Sequence, residues 1–141
     1  MSHFLSGVVH LPQLRELYLG SNALVDQDMA SITHGLQCSQ TLEVLDLSNN
    51  RFSGQVQPSL TCALTANTSL RCLNLRDNHF ALMDCVALLQ AVWQHHPTMT
   101  VLNIARNRLT FRDCDAVFEA ARAMPWCNVV FAPDRSPQSF N

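Results

Sequence analysis

The chain has little of what most binding and catalytic chemistry requires. Four glycines in 141 residues leave no glycine-rich loop to cradle a phosphate. A formal net charge of -2 and a pI near 6.3 supply neither a basic field for a nucleic-acid backbone nor an acidic tail, so general nucleic-acid binding is not expected. Apolar runs are short and broken by polar residues, so no membrane span is expected. The opening residues, MSHFLSGVVHLP, lack the basic start, long apolar centre and small-residue cleavage site of a secretory signal. Six cysteines, Cys38, Cys62, Cys72, Cys85, Cys114 and Cys127, are spread out without the tight spacing of a disulfide-stapled domain or a closed zinc site. The expectation is a reducing, cytoplasmic setting, with no metal and no cofactor.

What the chain has is repetition. LRELYLGSNAL from Leu14, LEVLDLSNNRF from Leu42, LRCLNLRDNHF from Leu70 and MTVLNIARNRL from Met99 recur at intervals of 28, 28 and 29 residues. A fixed period of this length marks units that cannot bury their own apolar faces and must stack to share a core. Apolar residues hold the first, fourth and sixth places, as in Leu42, Leu45 and Leu47, and the last two flank an outward residue as in a short strand. Three places further on stands asparagine each time: Asn22, Asn50, Asn78 and Asn107. An amide both donates and accepts, so these four are read as a structural ladder satisfying backbone groups where each strand leaves the sheet.

The second half of each repeat has helical spacing. Met29, Ile32 and Leu36, then Gln57, Leu60 and Leu64, then Cys85, Leu88 and Val92, then Cys114, Val117 and Ala121 each form a stripe along one side of a helix. Asp28, Asp84 and Asp113 stand just before three of these stripes, placed to accept from unpaired helix N–H groups. The second repeat has Val56 there and Pro58 just inside, so its helix is expected to be the least regular. Small residues, Gly35, Ala63, Ala91 and Ala120, precede the last stripe position and suggest close approach of helix to strand. The extra residue of the third interval is assigned to the connection Trp93 to Pro97, with His95 and His96 as a solvated loop.

The phrases resemble leucine-rich repeats, in particular the ribonuclease-inhibitor-like class also found at the C-terminal ends of NOD-like receptors. The resemblance runs from about Phe4 to Phe131. It implies an α/β horseshoe, with parallel strands on the concave side, helices on the convex side, and protein recognition by the strand face. The expected layout is a repeat domain over 1–132: a partial first repeat at 1–13, repeats starting at 14, 42, 70 and 99, and a closing strand at 126–131. Residues 133–141 are read as a tail. Phe4, Gly7 and Val8 match the helix positions Ile32, Gly35 and Leu36, so the chain reads as starting inside a repeat, either as a segment of a longer solenoid or with an open edge for intermolecular packing.

The candidate site is the concave face. The third, fifth, seventh and eighth places of the phrases form columns there, from which Glu16, Tyr18, Val44, Asp46, Asn74, Arg76, Asp77, Asn103 and Arg106 are taken as protein-binding residues. No histidine falls in these columns and no cation is expected beside Cys72, so no catalytic residue is assigned. The leading reading is a non-catalytic interaction module. The alternative is a structural subunit of a larger intracellular assembly, cytoskeletal or ribonucleoprotein. A third reading is a GTPase activator of the Ran type, using Arg76 and Arg106. Asn67-Thr68-Ser69 fits a glycosylation sequon but is read as a polar helix-to-strand turn.

Overall fold

The computed structural model describes residues 11–134. The helix expected from Phe4, Gly7 and Val8, and the tail beyond Asp134, lie outside the described residues. Five three-residue strands, β1 (Glu16–Tyr18), β2 (Val44–Asp46), β3 (Cys72–Asn74), β4 (Val101–Asn103) and β5 (Asn128–Val130), form one parallel sheet in chain order. Register sets Leu17, Leu45, Leu73, Leu102 and Val129 side by side as the single inward row. Pairing continues past the strand ends, with Leu19 N donating to Asp46 O at 2.7 Å and Asp77 N to Ala105 O at 3.0 Å.

Four helices return the chain: α1 (Met29–Cys38), α2 (Gln57–Ala66), α3 (Leu82–His95) and α4 (Phe111–Ala121). Their stripes fill the space behind the sheet, where Leu36, Leu60, Leu64, Leu88 and Val92 are sealed, together with Phe52 and Phe80 from the turns. The fold is a leucine-rich repeat α/β solenoid segment, five parallel strands alternating with helices.

Several local expectations need correction. The second helix is no less regular than the first: α1 and α2 both have 10 residues, and single 3-10 turns, Asp26–Asp28 and Gly54–Val56, lead into them. Ser53 caps the second start by accepting from Gln55 N, and Pro58 falls in the first turn, where a missing N–H removes no helix bond. Asp28 stands directly before α1 as expected, but the other two aspartates do not precede their helices. Asp84 and Asp113 are the third residues of α3 and α4, and with Asp28 they reach back to the N–H groups of Ala81, Thr110 and Val25 at 2.8, 2.7 and 3.0 Å. Only Thr110 completes the exchange, accepting from Asp113 N at 3.2 Å.

The extra residue of the third repeat is absorbed by a longer helix, since α3 runs through Trp93 and Gln94 to His95. His95 is exposed, but His96 is buried and caps α3, which contradicts the solvated-loop reading. The closing strand is shorter than expected, Asn128–Val130, and Trp126 lies outside it. It is 42% exposed, whereas Met124 and Cys127 are buried and Phe131 packs against the core. Cys85 is buried as its stripe requires, whereas Cys114, on the last helix, is only half-buried.

Candidate functional site

Three of the four phrase asparagines bind the turns of neighbouring repeats together. Asn50 Nδ2 donates to Leu19 O and Leu47 O, both at 3.0 Å, while its Oδ1 accepts from Leu24 N at 2.9 Å. Asn78 repeats the pattern with Leu47 O, Leu75 O and Phe52 N, and Asn107 with Leu75 O, Ile104 O and Phe80 N. Each therefore spans a repeat boundary. Asn22 is exposed, and among the described residues its amide donates only to Gly20 O in its own turn, at 3.0 Å.

A second ladder, which sequence reasoning missed, runs along the opposite edge where each helix ends. Ser39, Asn67 and His96 follow α1, α2 and α3 in turn. Asn67 is fully buried, donates to Leu36 O at 2.8 Å and Ser39 O at 3.0 Å, and accepts from Leu70 N at 2.8 Å. An amide so engaged is closed to a glycosylating enzyme in the folded chain. The signal was present as three polar residues 28 and 29 apart, but their dissimilar side chains hid it. His96 Nδ1 lies 3.3 Å from Thr98 Oγ1, and Nε2 is buried without a partner. Burial pushes the His96 pKa below its ordinary value.

The strands display two outward columns. One is Glu16, Val44, Cys72, Val101 and Asn128; the other is Tyr18, Asp46, Asn74, Asn103 and Val130. Tyr18 is 63% exposed, and its hydroxyl donates to Glu16 Oε2 at 2.9 Å, which raises its pKa. Val44, Asp46, Asn74 and Asn103 are half-buried by their flanking strands. Asp46, Asn74 and Asn103 each accept the backbone N–H two residues on, from Ser48, Arg76 and Ala105, at 2.8, 3.2 and 3.1 Å.

Positions seven and eight depart from the expectation of a continuous strand face. They lie past the strand ends, and the eighth residues, Ser21, Asn49, Asp77 and Arg106, all have positive φ, between 50° and 61°. None is glycine. The left-handed turn swings them onto a rim above the sheet, where Asp77 joins two cations. Arg76 Nε donates to its Oδ2 at 3.0 Å and Arg106 Nε approaches its Oδ1 at 3.2 Å.

Nucleophilic chemistry finds no support at this face. Cys72 has its pKa raised, first by burial and then by Asp46, so no cation draws out its thiolate. Burial lifts Cys85 to about 12. Among the described residues no cluster of histidine, cysteine or acid side chains has the arrangement to hold a metal, and no helix is long and apolar enough to cross a membrane.

Parallel one-residue-in strands, a buried asparagine ladder and outer helices define the fold class, a leucine-rich repeat α/β solenoid. Models described as leucine rich repeat match residues 41–63 and 66–85. Among solved structures, the chain is similar to a Caenorhabditis elegans tropomodulin C-terminal domain, with TM-score 0.79 and 14% identity, covering 98% of this chain and 86% of that one. It is similar also to leiomodin-1 actin-binding site 2, with TM-score 0.78 and 17% identity, covering 93% of this chain and 76% of that one. No curated protein matches by sequence. These likenesses extend over the repeat architecture and do not single out the ribonuclease-inhibitor-like class.

Proposed function

We propose that the chain is a non-catalytic protein-binding domain working within a cytoskeletal assembly, with actin as the partner to test first. One observation carries the reading: a fold likeness over 93% of the chain to a structure titled as an actin-binding site of leiomodin-1. This favours the structural, cytoskeletal alternative over a free-standing recognition module. The setting that follows is intracellular. By period we assign the repeats to the ribonuclease-inhibitor-like class. The concave face is the proposed contact surface, built on Glu16, Tyr18, Val44, Asp46, Asn74, Arg76, Asp77, Asn103 and Arg106. Tyr18 supplies exposed aromatic area, and the flanking polar groups are held in orientation by their own backbones. GTPase activation of the Ran type has no specific observation in its favour, and both arginines it would use are tied to Asp77.

Sedimentation with filamentous actin, and titration of monomeric actin, test the proposal. The expected result is association that Tyr18→Ala with Asp46→Ala weakens by about 2 kcal/mol or more. Absence of association with either form of actin would overturn the cytoskeletal reading. Association indifferent to both substitutions would move the contact away from the strand face.

A further inference from the structure

The concave face and its rim are electrically lopsided. The first two phrases carry Glu16, Glu43 and Asp46 against Arg15 and Arg51, one net negative charge. The next two carry Arg71, Arg76, Arg106 and Arg108 against Asp77 alone, three net positive charges. The chain contains no lysine, so every one of these cations is a planar fork able to grip a carboxylate with two parallel bonds.

Asp77 does more than neutralise. Its left-handed backbone is held by the bond from Asp77 N to Ala105 O, and Asn78 beside it is locked in the buried ladder. From that fixed point it engages the Nε atoms of Arg76 and Arg106, contacts that do not use their terminal amino groups. Two guanidinium forks are thus oriented from one carboxylate with a net charge of one positive. Below them, Asn74 and Asn103 spend Oδ1 on the N–H groups of Arg76 and Ala105, which turns both NH2 groups away from the backbone. Four side chains from two repeats therefore present donors, with both amide oxygens already engaged by the backbone.

We infer that this half of the face, Arg76 and Arg106 with Asn74 and Asn103, binds an acidic segment of a protein partner through its carboxylates. The inference rests on the concave face being the contact surface and adds the chemistry of what docks there. A segment rich in aspartate or glutamate matches a donor-rich surface of net positive charge, and the acids of the first two phrases repel it, which fixes its position along the solenoid.

A fluorescein-labelled peptide of alternating glutamate and serine, followed by anisotropy against the full chain, is the test. A lysine–serine peptide and oligothymidylate of matched length serve as controls. Binding of the acidic peptide is expected, weakening as salt rises and falling at least about tenfold in R76Q/R106Q. R76K/R106K is expected to recover little, because an ammonium keeps the charge but loses the fork. Unchanged affinity in R76Q/R106Q overturns the inference, as does full recovery by the lysines or equally tight, arginine-dependent binding of oligothymidylate. Thermal melting of each variant separates loss of binding from loss of fold. Should these results fail while Tyr18→Ala with Asp46→Ala still weakens actin association, only the acidic-segment inference falls.

Discussion

Asn78 illustrates how one side chain can stabilise two repeats. Its amide satisfies carbonyls of Leu47 and Leu75 and the N–H of Phe52, all out of reach of water. Asn78→Ala is expected to cost about 2 to 3 kcal/mol in urea unfolding, because three buried polar groups lose their partner at once. Asn22→Ala, with its single exposed bond, is expected to cost well under 1 kcal/mol. His96 adds a pH signature. Its folded pKa is lowered, so the unfolded chain takes up the proton first as pH falls, and native stability is full above the ordinary value of 6.5 and declines below it. His96→Asn, the residue already used at Asn67, is expected to flatten the fall in stability between neutral and mildly acidic pH relative to the parent chain.

At the scale of elements, the turns show what the sequence displays and what it hides. Leu17, Leu45 and Leu73 announce the inward row because apolar burial repeats visibly, and Asn50, Asn78 and Asn107 announce the ladder because only one residue type performs it. The Arg76–Asp77–Arg106 cluster was legible as residues but not as a cluster, since it depends on a left-handed turn that no glycine signals. His96 misled because its burial is decided by the next repeat's packing rather than by its polar neighbours. The same logic makes Ala23 testable. It holds φ of 53° without a glycine, so Ala23→Gly is expected to raise stability by about 0.5 to 1 kcal/mol, whereas glycine in an ordinary turn or helix lowers it. Gly54 is the reverse case: a Cβ there meets Asp84 Oδ2 at 2.5 Å, and Gly54→Ala is expected to cost about 1 kcal/mol by pushing Asp84 off the amide it caps.

The molecule as a whole is a row of neighbours, each sheet strand paired only with the strands before and after it. Energetic coupling is expected to follow that row. Leu73→Val with Leu102→Val, on adjacent strands, is expected to deviate measurably from the sum of the single effects, while Leu45→Val with Leu102→Val, separated by β3, adds within about 0.5 kcal/mol in a double-mutant cycle. The last helix bears the mark of the same arrangement. Phe118 stands 29 residues after Leu89, yet it is 53% exposed where Leu89 is 1% exposed. The left-handed residues at the rim carry a further meaning. Ser21, Asn49, Asp77 and Arg106 occupy the same left-handed position in four successive repeats, where glycine fits without strain, and the last two lie on the proposed gripping edge. A lineage bred only for heat resistance would drift to glycine at all four and emerge tougher but with its grip erased. Robustness and recognition compete here for the same side chain.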